Sequence, residues 1–352
     1  MGRISLLILS ILASSGLWMK LNAQVPPHLD PNWELVSSKS DEFNSSGLNP
    51  ALWDKAYSGC GWGWGFGSNL DSSNVIMENG YLKLRLNKSD SIISVGQIRS
   101  KNSDYNYGYF EISAKILDPG NYKNGIPCAT GVWPSFWTYW VDYARYKCYH
   151  DEIDIVETLY DKCEDVHIMS GGVHDKIPES LDTCASGCQG VKVFSVEHKH
   201  SNPLFEAEHK YAAEWLRDRV ILYFDDQPVG AYFGDGVPKH LQYVVLSMQV
   251  NNKWIDFDET IKMPQDMKVD YFRYYKLIDR YCEKDAHIKN NSQLNRFKFG
   301  TRRNIAIGTG TGSISLSAGD VKTFRASNEI TVNGDFSVPL GAELNLIPTR
   351  SQ

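Results

Sequence analysis

Beyond residue 23 the sequence has no apolar run long enough to cross a bilayer, so no membrane span is expected there. It has no CxxC pair, which removes the usual framework of a structural zinc site; no metal site is expected from it. No long stretch repeats at a helical period, which excludes a helix bundle. Basic residues are not in excess: 36 Lys and Arg stand against 42 Asp and Glu, a formal net charge of −6. A nucleic-acid partner needs a positive field, so none is expected. What is abundant is aromatic surface, with 10 Trp and 19 Tyr. Flat rings serve large β cores and carbohydrate sites alike.

The N-terminus reads as a signal peptide over residues 1–23. Arg3 supplies the positive end, Ile4 to Trp18 the apolar stretch, and Leu21-Asn22-Ala23 a cleavage site. Export to the periplasm or the extracellular space is therefore expected, and with it disulfides. All 7 cysteines follow that segment, an odd number that leaves at least one without a partner in the chain. Cys184 and Cys188 could close a small loop. Cys148 and Cys163 flank an acidic strand and could brace it, paired together or with neighbours.

From Val75 onward the text alternates strand and turn. Tyr81 to Leu86 sets Leu82, Leu84 and Leu86 against Lys83 and Arg85, the period of a half-buried strand. Further strands are expected over 107–116, 167–174, 210–215, 219–224, 229–233, 242–250 and 268–278, with 175–202 as loop. Glu78-Asn79-Gly80 and Asp225-Asp226-Gln227-Pro228 are turn signals. Many short strands with regular turns predict an all-β antiparallel sandwich or jelly roll. Its main unit is expected over 33–279, then a charged linker over 280–303 and a small β-hairpin accessory domain over 304–352. Between Cys60 and Ser68, Gly alternates with rings, and Trp62 and Trp64 are candidate sugar platforms.

The stretch Asp151-Glu152-Ile153-Asp154-Ile155-Val156-Glu157 concentrates 4 carboxylates between β-branched residues. On a strand, Glu152 and Asp154 share a face. Glu157 is out of phase by one residue, and a β-bulge near Ile155 or Val156 would return it to that face. Four strand steps span roughly 13 Å. The outer acids are the longer Glu, which can lean together toward roughly 5–5.5 Å, the spacing of a retaining glycosidase.

This stretch resembles the active-site signature of glycoside hydrolase family sixteen in its bulge-containing form. The resemblance extends to Asp41-Glu42-Phe43 with Trp53, Tyr107 to Glu111, Trp133 to Trp137, Tyr211 to Trp215 and Val269 to Arg273. It implies a concanavalin-like β-jelly-roll sandwich with a cleft across one sheet, and a secreted, endo-acting, retaining hydrolase. It implies Glu152 as nucleophile, Glu157 as acid/base and Asp154 between them. It places His174 beside the acids and Trp137 under the sugar, with Trp133 partly in the core. Arg99, Gln249, Glu214 and Trp215 are weaker substrate-binding positions. No cofactor is required, although some members hold a structural calcium, where Glu42 and Asp270 occupy the matching places.

The partner that the resemblance implies is a β-linked polysaccharide, and the chain is expected to act as a monomer. His150-Asp151 before the signature and Thr158-Leu159-Tyr160 after it depart from the laminarinase pattern. Arg145 and Lys147 are suited to sulfate groups, so the reading leans to an algal galactan (agar, porphyran or carrageenan), with laminarin-type β-1,3-glucan beside it. A noncatalytic carbohydrate-binding sandwich and a transglycosylase on the same fold are the alternatives. The C-terminal stretch resembles the stacked-hairpin modules of secreted bacterial enzymes.

Overall fold

The structure is a computed structural model of the chain. It describes residues 26, 29, 33–56, 68–117, 122–123, 126–128, 130–142, 149–175, 191–251, 255–277, 285–297, 301–308, 313–334 and 336–348. The expected signal peptide, Trp62, Trp64, Arg145, Lys147 and the cysteines other than Cys128 and Cys163 lie outside the described residues. Among the described residues no helix is long and apolar enough to cross a membrane.

Two antiparallel sheets form a β-jelly-roll. The first, here the acidic sheet, runs in the order Val191–Lys199, Ile168–Asp175, Tyr149–Glu157, Val132–Asp142, Tyr243–Val250, Gln97–Ser100 and Trp53–Lys55. The second is built on Gly108–Lys115 and Gln265–Leu277 at its centre, with His209–Leu216, Arg219–Phe224 and Gln227–Tyr232 to one side and Tyr81–Ser89 to the other. Period-2 patterning explains both. In Tyr81–Ser89, Leu82, Leu84 and Leu86 are fully buried while their neighbours are not.

The two hairpin signals form as their residues require. Asn79 and Gly80 take φ of 54° and 78°, and Asp225 and Asp226 take 46° and 65°, the left-handed pairs of tight hairpins. Between the sheets, Phe136, Ile153, Ile155 and Val156 pack with Phe110, Ile112, Trp215, Leu222 and Phe272 in one core. The Phe136 and Phe272 rings lie 5.9 Å apart, edge to face. Each such side chain, fully buried, contributes roughly 1.5–3 kcal/mol.

Cys163 pairs with Cys128, not with Cys148. Cys128 precedes the strand Val132–Asp142 and Cys163 follows Tyr149–Glu157, so the bridge closes the base of the strand pair that carries the acids. The stretch expected as loop also needs correction. Val191–Lys199 is a full strand, the outermost of the acidic sheet. Its Val-Lys-Val-Phe-Ser-Val text alternates, but the Gly- and Cys-rich residues before it masked the signal.

The C-terminal hairpins are not hairpins. Asp285–Ile288, Thr301–Ile307, Val321–Val332 and Glu343–Pro348 form a parallel sheet, and Ile314–Ser315 pairs parallel with Phe336–Ser337. Ile314 faces Phe336 and Val321 faces Glu343 at the same offset, so the chain winds in successive coils. Gly319 and Gly341, at φ of 88° and 86°, make the corners. Ile288, Leu294, Ile305, Ile307, Ile314 and Phe324 form a separate core. The expected linker over 280–303 is thereby corrected: it holds Asp285–Ile288 and a short helix, Asn291–Arg296, capped by the Asn290 side chain. Alternation identifies a strand but says nothing of the direction of its neighbour.

Candidate active site

The acidic strand Tyr149–Glu157 pairs with Val132–Asp142, and the register slips by one residue. Phe136 faces Val156 and Trp137 faces Asp154, leaving Ile155 without a partner. This is the expected bulge. Its consequence is that Ser135 faces Glu157, Trp137 faces Asp154 and Tyr139 faces Glu152, all on one outer face. Ile155 and Val156 are both fully buried on the inner side, which holds the bulge in place. Across the other edge, Glu152 faces His174 and Asp154 faces Gly172 on Ile168–Asp175.

The electrostatics follow from crowding acids on a half-dry surface. Asp154 is 3% exposed. Burial, and then the charge of Glu152, raise its pKa to about 6, with the His174 contact pulling the other way. Glu157 is pushed up to about 8 by burial and by the charge of Asp154, against the Lys192 and His174 charges and the Trp133 indole, which favour its ionised form. Burial alone would lower His174. The Asp154 contact, with Nε2 and Oδ2 3.0 Å apart, and the charges of Asp154 and Glu152 outweigh it and raise the imidazole to about 9. The result at neutral pH is a carboxyl that keeps its proton beside ionised neighbours. Such a group can donate to a leaving oxygen.

Glu152, Asp154 and His174 offer atoms within 4.8 Å of one another, a spacing that an ion would accept. Glu42, the place matched to calcium, lies in an ion pair. Both of its oxygens accept from Arg273, at 2.8 and 2.9 Å, so a guanidinium supplies the positive charge there.

Trp137 stands half-buried in the row, its indole N–H donating to Ser247 Oγ at 3.2 Å. Its ring lies 4.9 Å from Tyr139, which lies 5.6 Å from Tyr243. Trp133 is half-buried beside Glu157. Arg99 is on the same face, donating to Tyr139 Oη at 3.1 Å with its guanidinium 4.1 Å from the Tyr243 ring. Gln249 donates to Gln97 at 3.3 Å and is 9% exposed.

Glu214 and Trp215 do not join this face. They are buried in the second sheet, Glu214 on Arg219 at 2.6 Å and the Trp215 indole on Pro238 O at 2.9 Å. Sequence reasoning missed Tyr139, Tyr243, Gln97 and Lys192. Tyr139, two residues past Trp137, was within reach of the alternation; the others depend on which strands pair.

An antiparallel sandwich with acids and rings ranked on one outer face defines the class of carbohydrate-active β-jelly rolls. The profile of the glycosyl hydrolases family 16 matches residues 65–273, and the chain belongs to that family. A laminarinase from Flavobacterium sp. UMI-01 is 22% identical, with a TM-score of 0.55 over 69% of this chain and 100% of that one. The laminarinase catalytic domain from Thermotoga maritima MSB8 is 25% identical, with a TM-score of 0.54 over 69% of this chain and 98% of that one. The endo-1,3-1,4-beta-glycanase EglC of Rhizobium meliloti (strain 1021) is 23% identical over 171 residues, 49% of this chain. The match spans only 30% of EglC.

Proposed function

We propose that the chain is a secreted, retaining endo-β-glycanase. The observation that carries this is the bulged register, which ranks Glu152, Asp154 and Glu157 on one face, with Glu157 pushed up to about 8. In the first step Glu157 gives its proton to the glycosidic oxygen while Glu152 attacks the anomeric carbon. The bond to the leaving sugar breaks, and a covalent glycosyl–Glu152 ester forms. In the second step the Glu157 carboxylate takes a proton from water, whose oxygen displaces Glu152 and restores both acids. Asp154, held ionised by His174, steadies the Glu152 side of the row. Trp137 offers a ring beneath the sugar, with Tyr139 and Tyr243 extending the platform.

The substrate we propose is a β-glucan with 1,3 linkages, because the structural relatives named above are laminarinases and EglC is an endo-1,3-1,4-β-glycanase. Export is supported by the N-terminal text and by the Cys128–Cys163 bridge, which persists in oxidising compartments. The test is a panel of laminarin, mixed-linkage glucan, agarose, porphyran and κ-carrageenan, with products sized. Laminarin or mixed-linkage glucan should yield short oligosaccharides of retained configuration, and Glu152→Gln and Glu157→Gln should be inert though folded. Cleavage of a galactan alone would replace the glucan assignment. Full activity in either variant would overturn the mechanism.

A further inference from the structure

The strand Val191–Lys199 carries a second bulge. Val173 faces Phe194 and His174 faces Lys192, so Val193 has no partner. In a regular ladder Val193 would stand beside His174 on the outer face. The slip leaves Phe194 opposite Val173, packed against the core, and puts Lys192 beside His174 instead. Gly172, the neighbour of Asp154, leaves room for the lysine arm to lie across it. A Cβ on Gly172 would come 2.8 Å from Lys192 Cε and 3.6 Å from Nζ. The ammonium therefore rests on the outer face next to Asp154. Its charge acts on both Asp154 and Glu157.

We propose that Lys192 is a positioning residue for the acid–base chemistry of this face: set beside Asp154 by the second bulge, it balances the carboxylates so that Glu157 can release its proton as well as hold it. This rests on the reading of Glu157 as acid/base. The groups that face Glu157 are Asp154 on its own strand, His174 on the next, Lys192 beyond it and the Trp133 indole on the other side. With Glu157 protonated, the charges of Glu152 and Asp154 are matched by the His174 imidazolium and the Lys192 ammonium. When Glu157 gives up its proton the face becomes negative, and without Lys192 it would be more so. The lysine charge pulls both Asp154 and Glu157 down. The second chemical step needs that help, because it starts from ionised Glu157.

The test compares Lys192→Met and Lys192→Arg on the polysaccharide that the parent cleaves. In Lys192→Met the alkaline limb of kcat/KM should move up by about half to one pH unit, the scale of one charge acting over several ångströms of half-wet protein. Lys192→Arg should restore it. Carboxyl carbon NMR of Glu157 should show the same upward move, and this reads the effect with no substrate present. An unmoved limb and an unmoved NMR titration would overturn the proposal. So would a loss in KM alone, equal at every pH or confined to acidic glycans, which would make Lys192 a sugar contact. Glu157→Gln keeps the two readings apart: if it stays active, the acid/base reading itself has failed, whatever Lys192→Met does.

Discussion

Replacing Glu157 with Gln should abolish turnover and yet make the fold more stable near neutral pH. Burial and the charge of Asp154 push Glu157 from an ordinary 4.5 up to about 8. The native state thus holds this proton more tightly than the unfolded chain does. The associated stability is complete below about 4.5, declines as pH rises through the window to about 8, and levels off above it. Each pH unit inside that window costs about 1.4 kcal/mol, so by neutral pH the native state has lost at most about 3 kcal/mol relative to acid. Gln fills nearly the same volume and carries no charge, so it removes the decline. Water reaches one side of Glu157, which brings the expected gain to about 1–3 kcal/mol. Denaturant unfolding of parent and variant at about pH 5, 7 and 9 reads the difference. It should be small in acid, clear at neutrality and larger still in base. A variant no more stable than the parent at the alkaline end would show that Glu157 is not strained, and its role as a neutral-pH proton donor would fall with it.

Cys128→Ser should lower stability by up to about 4 kcal/mol, the loop-closure entropy for a bridge between residues 35 apart, measured by unfolding with and without reductant. A parent whose transition ignores reductant would contradict this. Arg219→Met leaves Glu214 buried without its cation and should cost about 3–5 kcal/mol, part of which Glu214→Gln should return in the double variant. His174, raised to about 9, contributes stability that is complete below its ordinary 6.5 and lost as pH rises through about 9. His174→Gln should remove that decline, and NMR of the parent imidazole should show the elevated titration; a value near 6.5 would refute the pairing with Asp154.

The acidic strand was legible because its chemistry and its period disagree by a single residue, and only a bulge reconciles them. Tyr81–Ser89 was legible for the same reason of period, and Arg219–Phe224 as a short, continuous apolar run bounded by turns. What stayed hidden depends on contacts that only the paired sheets bring about. The ion pair of Glu42 with Arg273, 231 residues on, appears only in the fold. Glu214 looks like a site acid until Arg219 buries it. Tyr243 and Lys192 reach the acid-bearing face through pairing that no local pattern encodes. The C-terminal strands were visible as strands, but whether a chain turns back or winds onward is set by its corners.

The unpaired Ile155 has a consequence for how this strand can change length. Its neighbours keep their partners on both sides: Phe136 with Val156, Trp137 with Asp154. If Ile155 were deleted, Glu152, Asp154 and Glu157 would alternate strictly by two and could keep Tyr139, Trp137 and Ser135 opposite them. The acid-bearing strand could thus keep its outer face after the loss of one residue at its centre. The penalty would fall on the core, which loses a fully buried side chain, about 2–5 kcal/mol if it collapses no better than other large-to-small changes. Substitution at the acids and deletion beside them are therefore different kinds of event: one removes the chemistry, the other shortens its scaffold.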